Sequence, residues 1–157
     1  MAFLKAADAI EMAMGIETSG ETFYRVVAQK AKMEGVQALF EDLAVQEVRH
    51  YATFKKLGET LRDRLMMSAD EWDEYQGYLE ATVQSALFEG PDRALAAAEE
   101  VEDEKEALRM AMGFEKETLL FFYNLRDIVS QADAKTIDKI IAEEKAHLRR
   151  LAGLLKQ

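Results

Sequence analysis

The chain contains two histidines, His50 and His147, and each stands three residues after a glutamate, in Glu47-Val48-Arg49-His50 and Glu144-Lys145-Ala146-His147. Residues i and i+3 share one face of a helix, so each Glu-x-x-His presents a carboxylate oxygen and an imidazole nitrogen to the same point. Two further glutamates, Glu17 and Glu115, fall on stretches otherwise made of Leu, Ile, Met, Phe and Ala. Burying a bare carboxylate is too costly unless it is paired, protonated or bound to metal. No matching set of Lys or Arg accompanies these faces. Two divalent ions would set four positive charges against the four carboxylates. Hard oxygen donors with imidazole nitrogen suit iron or manganese, with zinc as a substitute, and bridging carboxylates hold two ions within about 4 Å. The expected metal ligands are Glu17, Glu47, His50, Glu115, Glu144 and His147. Glu143, at i−4 from His147, competes with Glu144 for the inner face.

Helices must position these groups. A single proline in 157 residues, with abundant Ala, Leu, Glu, Lys and Met, points to an almost wholly helical chain. A 3.6-residue stripe runs from Phe3 to about Met33 through Ile10, Met14, Glu17, Tyr24, Ala28 and Ala31. Gly35 interrupts it. A second stripe follows through Val36, Leu39, Phe40, Leu43, Glu47, His50, Phe54 and Leu57, with Gly58 expected as its C-terminal stop. Ser68-Ala69-Asp70-Glu71 reads as a capping box opening a helix to about Phe88. Gly90-Pro91 breaks that helix, and Asp92 is the expected cap of a short Ala-rich helix to about Glu100. Stripes from Asp103 to about Ser130 and from about Asp133 to Lys156 carry the remaining ligands. The expectation is an all-α four-helix bundle, two helical hairpins joined by one long, partly helical crossover of roughly 45 residues.

The hairpins resemble each other. Ala13-Met14-Gly15-Ile16-Glu17 aligns with Ala111-Met112-Gly113-Phe114-Glu115, and Glu47-x-x-His50 aligns with Glu144-x-x-His147. That register favours Glu144 over Glu143 as the ligand, leaving Glu143 as a solvated or outer acid. Two such hairpins packed with approximate twofold symmetry bring equivalent side chains together at mid-height, which suits a pair of ions.

Composition narrows the function classes. The formal net charge of −10 opposes nucleic-acid binding, which depends on clustered Lys and Arg. The absence of cysteine excludes disulfides, thiol nucleophiles and cysteine-ligated metal centres within the chain. No run approaches the roughly 18 apolar residues of a membrane span, and Asp8 and Glu11 interrupt the amino-terminal apolar stretch. A single cytoplasmic domain over residues 1–157 is expected, without membrane or nucleic-acid partners. The acidic run from Glu99 to Glu106 reads as a solvated junction between helices. Trp72, Tyr75 and Tyr78 read as a cover for the bundle or for a dimer partner.

The combined pattern, from about Ala9 to Leu155, resembles the rubrerythrin branch of the ferritin-like superfamily. The residues that carry the resemblance are Glu17 with Tyr24 seven positions on, Glu47-x-x-His50, Glu115 with Tyr123 eight positions on, and Glu144-x-x-His147. The resemblance implies a di-iron centre on the six ligands, with Tyr24 and Tyr123 hydrogen bonding beside it. It implies an oxidoreductase that reacts with hydrogen peroxide or dioxygen. Two departures stand out. Thr118 occupies the place of a further family glutamate on the third bundle helix, and the four-cysteine rubredoxin-like domain usual in the family has no counterpart here. Electrons would come from a separate donor such as a rubredoxin or a flavoprotein. The alternative reading is iron binding, storage or delivery without redox turnover, and a homodimer is the expected assembly.

Overall fold

In the computed structural model, which describes residues 6–61, 68–82 and 89–157, the stripes become six helices, and no strand occurs among the described residues. They are α1 (Ala6–Lys30), α2 (Glu34–Thr60), α3 (Ala69–Thr82), α4 (Pro91–Glu100), α5 (Glu104–Ile128) and α6 (Gln131–Leu155). Helices α1 and α2 pair as one hairpin and α5 and α6 as the other, and the hairpins meet along the α1–α5 and α2–α6 seams. Between them lies the crossover, in which α4 packs along α1. The core is the union of the apolar stripes, with Ile10, Phe23, Phe40, Leu43, Phe54, Phe122, Leu125, Ile137 and Leu151 all buried.

Helix starts follow local chemistry. The Ser68 backbone N–H donates to Glu71 Oε2 at 2.9 Å, and the Glu71 N–H donates to Ser68 Oγ at 3.3 Å, forming the expected capping box. Asp103 caps α5 by accepting from the Glu106 N–H, and Ser130 caps α6 by accepting from the Asp133 N–H. Gly90, at φ 110°, takes a left-handed conformation that glycine adopts without strain, and Pro91 follows at the first helical position. Asp92 therefore lies inside the first turn of α4 and is not its cap.

Two further boundaries depart from the stripe reading. Gly35 sits inside α2, and the chain turns at Ala31–Met33 instead. That turn is held from across the bundle, because Glu104 accepts hydrogen bonds from the backbone N–H groups of Lys32 and Met33. Gly58 does not stop α2, which continues to Thr60. A Cβ at Gly58 would come 3.2 Å from Ile10 Cγ2, so its bareness serves the close approach of α1 and α2. In the crossover, Trp72 is buried and packs against Tyr75 with ring centroids 5.4 Å apart. The end of the helix expected to reach Phe88, and the side chain of Tyr78, lie outside the described residues.

Candidate metal centre

Each of the four bundle helices contributes to one buried polar cluster. Glu17 comes from α1, Glu47 and His50 from α2, Glu115 from α5, and Glu144 and His147 from α6, and all six side chains are buried. Donor atoms from Glu17, Glu47, His50 and Glu144 lie within 4.8 Å of one another, and so do donor atoms from Glu47, Glu115, Glu144 and His147. Two overlapping four-residue groups result, with Glu47 and Glu144 common to both.

The Glu144 carboxylate lies between the two imidazoles. Its Oε1 is 2.9 Å from His50 Nδ1, in close approach without hydrogen-bond alignment, while its Oε2 hydrogen bonds with His147 Nδ1 at 2.8 Å. Glu17 Oε2 lies 3.6 Å from His50 Nδ1, and Glu115 Oε1 lies 3.7 Å from His147 Nδ1. The rings themselves stack with centroids 5.7 Å apart. Both Nδ1 atoms therefore face the cluster. The outer nitrogen of His50, Nε2, hydrogen bonds to Glu143 Oε2 at 2.6 Å. This settles the competition within Glu143-Glu144. Glu144 is 0% exposed, whereas the Glu143 side chain is 55% exposed and reaches the histidine from the rim.

Electrostatics strain the arrangement. Burial pushes the carboxyls of Glu17 and Glu47 well above the usual carboxylate range, and burial with the Glu144 charge raises Glu115 to about 8. Burial also presses on Glu144, yet its hydrogen bond with His147 and the closeness of His50 hold it below the usual range. Burial lowers the affinity of both imidazoles for protons, but their acidic neighbours outweigh it. His50 rises to about 9, chiefly through Glu144, and His147 to about 10, through Glu115 and Glu144.

Hydrogen bonding leaves the carboxylates incompletely satisfied. Both oxygens of Glu17, Oε1 of Glu47 and Oε1 of Glu144 are buried without a hydrogen-bond partner. Buried polar atoms are ordinarily paired, and converging orphan carboxylate oxygens beside two inward Nδ1 atoms are what a cation would satisfy. The donor set therefore fits two divalent ions, the first among Glu17, Glu47, His50 and Glu144 and the second among Glu47, Glu115, Glu144 and His147.

The two tyrosines diverge. Tyr24 is buried and its hydroxyl donates to Glu115 Oε1 at 2.5 Å, beneath the stacked ring of Phe40. Tyr123 instead lies half-buried on the α5–α6 surface, where Arg126 and Lys145 stand 5.5 Å and 5.2 Å from its ring centre. No hydrogen bond joins it to the carboxylates among the described residues, which corrects the expectation of two tyrosines beside the cluster. The reason is helical phase. Seven residues nearly complete two turns, so Tyr24 shares the face of Glu17, whereas eight residues rotate Tyr123 by about 80° away from Glu115. Phe122 takes the inward position and packs on Phe54. Sequence reasoning also gave no role to Gly20, one turn beyond Glu17. A Cβ there would come within 2.9 Å of Glu47 Oε2.

Comparison with known proteins agrees with this geometry. Among solved structures, a Thermotoga maritima protein described as a ferritin-like diiron-carboxylate protein matches with a TM-score of 0.76 and 26% identity, over 100% of this chain and 98% of its own. No curated protein matches the sequence. The rubrerythrin family model matches residues 8–155, nearly the whole bundle with its four carboxylates and two imidazoles, and the chain belongs to the rubrerythrin family.

Proposed function

We propose that the cluster holds two iron ions and that the protein is an oxidoreductase acting on hydrogen peroxide or dioxygen. The observation that carries this reading is the set of orphaned, buried carboxylate oxygens facing two inward imidazole nitrogens inside an apolar bundle. Iron bound there supplies one-electron redox chemistry. The chain's own part is positioning and charge compensation. Glu144 and Glu47, common to both groups, would bridge, and Glu17 with His50 and Glu115 with His147 would terminate the two ends. Tyr24 keeps a proton against Glu115 Oε1, and Glu143 steadies His50 through Nε2. All six side chains of the cluster are buried, which favours a small oxidant. Electrons come from a donor outside this bundle, such as a rubredoxin or a flavoprotein, because residues 1–157 hold no cysteine to bind a rubredoxin-type iron.

Thr118 favours the second reading, iron binding or delivery without turnover. It is buried one turn beyond Glu115 in α5, where the family pattern places a further glutamate. Anaerobic loading with two equivalents of Fe(II), followed by peroxide, separates the two. The proposal expects rapid ferric absorption and repeated turnover when a reductant and rubredoxin are supplied. A fully loaded protein whose iron stays ferrous overturns it. A single oxidation without turnover assigns the protein to binding or delivery.

A further inference from the structure

The repeat makes the six ligands nearly symmetric, but it does not extend to their neighbours. In the register that aligns Glu17 with Glu115, Tyr24 aligns with Phe122. In the register that aligns Glu47 with Glu144 and His50 with His147, Glu143 aligns with Gln46. Each of these unmatched neighbours acts on a different half of the cluster.

Glu115 Oε1 receives the Tyr24 hydroxyl at 2.5 Å. Its counterpart Glu17 receives no hydrogen bond among the described residues. Both Glu17 oxygens are buried without a partner, and Phe122, which replaces the tyrosine in the other half, has no hydroxyl to offer. The imidazoles differ as well. His50 Nε2 bonds to the Glu143 carboxylate at 2.6 Å, whereas no side chain hydrogen bonds to the outer nitrogen of His147 among the described residues.

Both differences favour the same position. A carboxylate that accepts a strong hydrogen bond has given up donor capacity and part of its charge. Glu17 keeps both. A carboxylate on the outer nitrogen of an imidazole fixes the proton there, turns the other lone pair inward and strengthens it as a donor, and removing such a partner typically costs 10- to 100-fold in metal affinity. We propose that the two metal positions are unequal, and that the one formed by Glu17 and His50 fills first and more tightly than the one formed by Glu115 and His147. This rests on the reading that the cluster binds two divalent ions.

The test is a titration of chelator-treated protein with Mn(II), followed calorimetrically and by the paramagnetic signal of the bound ion. Two resolved steps are expected, at least about 10-fold apart, and the first equivalent should give mainly isolated Mn(II), with the coupled pair appearing on the second. Glu143→Gln should weaken the first step by about 10-fold and spare the second. Tyr24→Phe, which frees Glu115 Oε1, should tighten the second step and narrow the gap. Circular dichroism of each metal-free variant confirms that it is folded. Two equal steps, or a Glu143→Gln change that falls on the second step, overturn the ordering while leaving two-ion binding intact. Failure of the unaltered protein to bind two Mn(II) overturns the two-metal reading itself, and the ordering with it.

Discussion

At the residue scale, Glu144 is the group on which the centre most depends. It is buried between His50 and His147 and belongs to both donor groups. Glu144→Gln keeps the volume and removes the charge, so loss of both ions is expected, read as metal stoichiometry after equilibrium dialysis. Retention of two ions would show that the bridging role lies elsewhere. Gly20 offers a second test in which two effects oppose. Replacing a glycine by alanine inside a helix ordinarily gains about 1 kcal/mol. Here the new Cβ meets Glu47 Oε2 at 2.9 Å, and that carboxylate is buried among three others. Gly20→Ala should therefore weaken metal binding by about 10-fold or more while the metal-free helix content holds, because a displaced ligand costs more than the propensity returns. Unchanged affinity would mean that Glu47 retreats without consequence. The same residues show what the sequence could disclose. The six candidate ligands, which the fold gathers into one buried cluster, were legible because residue type, spacing and repetition agreed. The outer place of Glu143 was legible from the repeat register, but its hydrogen bond to His50 Nε2 was not, because that partner lies on another helix. Gly20 was invisible because the absence of a side chain acquires meaning only when the opposite helix is in place.

At the element scale, the six helices follow from periodicity; of the two expected helix-start caps the Ser68 box forms and Asp92 does not cap, while the caps at Asp103 and Ser130 were not expected. The errors lie where one helix end is fixed by another element. The α1–α2 turn is held by Glu104 of α5, and Gly58 is bare for the sake of Ile10. Helix α4, whose end is expected near Glu100 and found there, is also tied to another element. Its inner face is Ala94 and Ala98, both fully buried against α1, and its last carbonyls are gathered by the Lys30 ammonium. Lys30 Nζ donates to the carbonyl oxygens of Ala98, Glu99 and Val101 at 3.0, 2.8 and 2.6 Å. A cation on the carbonyl end of a helix completes groups the helix cannot pair and complements its dipole. The site is exposed, so water replaces part of what is lost. Lys30→Met, which keeps the aliphatic stem, should cost about 1 kcal/mol and lower Tm by about 2–4 °C. Metal stoichiometry should not change, since Lys30 supports the crossover and not the ligands. Calorimetry with metal analysis checks both, and a loss of metal would show that α4 helps to hold the centre.

At the scale of the whole molecule, the charge balance couples folding, protons and metal. The chain carries a formal charge of −10, yet four of its acids are enclosed with two imidazoles that attract protons in return. The metal-free native state holds protons that the unfolded chain releases. Glu17, Glu47 and Glu115 are raised above their ordinary value near 4.5, with Glu115 at about 8, and His50 and His147 are raised from 6.5 to about 9 and about 10. For such groups the native state binds more protons than the unfolded state, so stability falls as pH rises. The histidine contribution is fully present below about 6.5 and is lost as pH passes through about 9 to 10. Glu144 has the opposite sign, but its contribution disappears only in acid, below its ordinary 4.5. Between about pH 6.5 and 8.5, the metal-free protein should therefore lose at least about 2 kcal/mol, seen as a fall in Tm of about 5 °C or more. Divalent ions need the same donors deprotonated, so they compete with these protons and bind more tightly as pH rises. With two equivalents of Mn(II), the stability added by binding should grow over this interval, and Tm should hold steady or climb. Scanning calorimetry at the two pH values, with chelator and with Mn(II), checks both slopes. A metal-free Tm that rises with pH would mean that the cluster does not retain its protons. Parallel slopes with and without Mn(II) would mean that the bound ions have not displaced them.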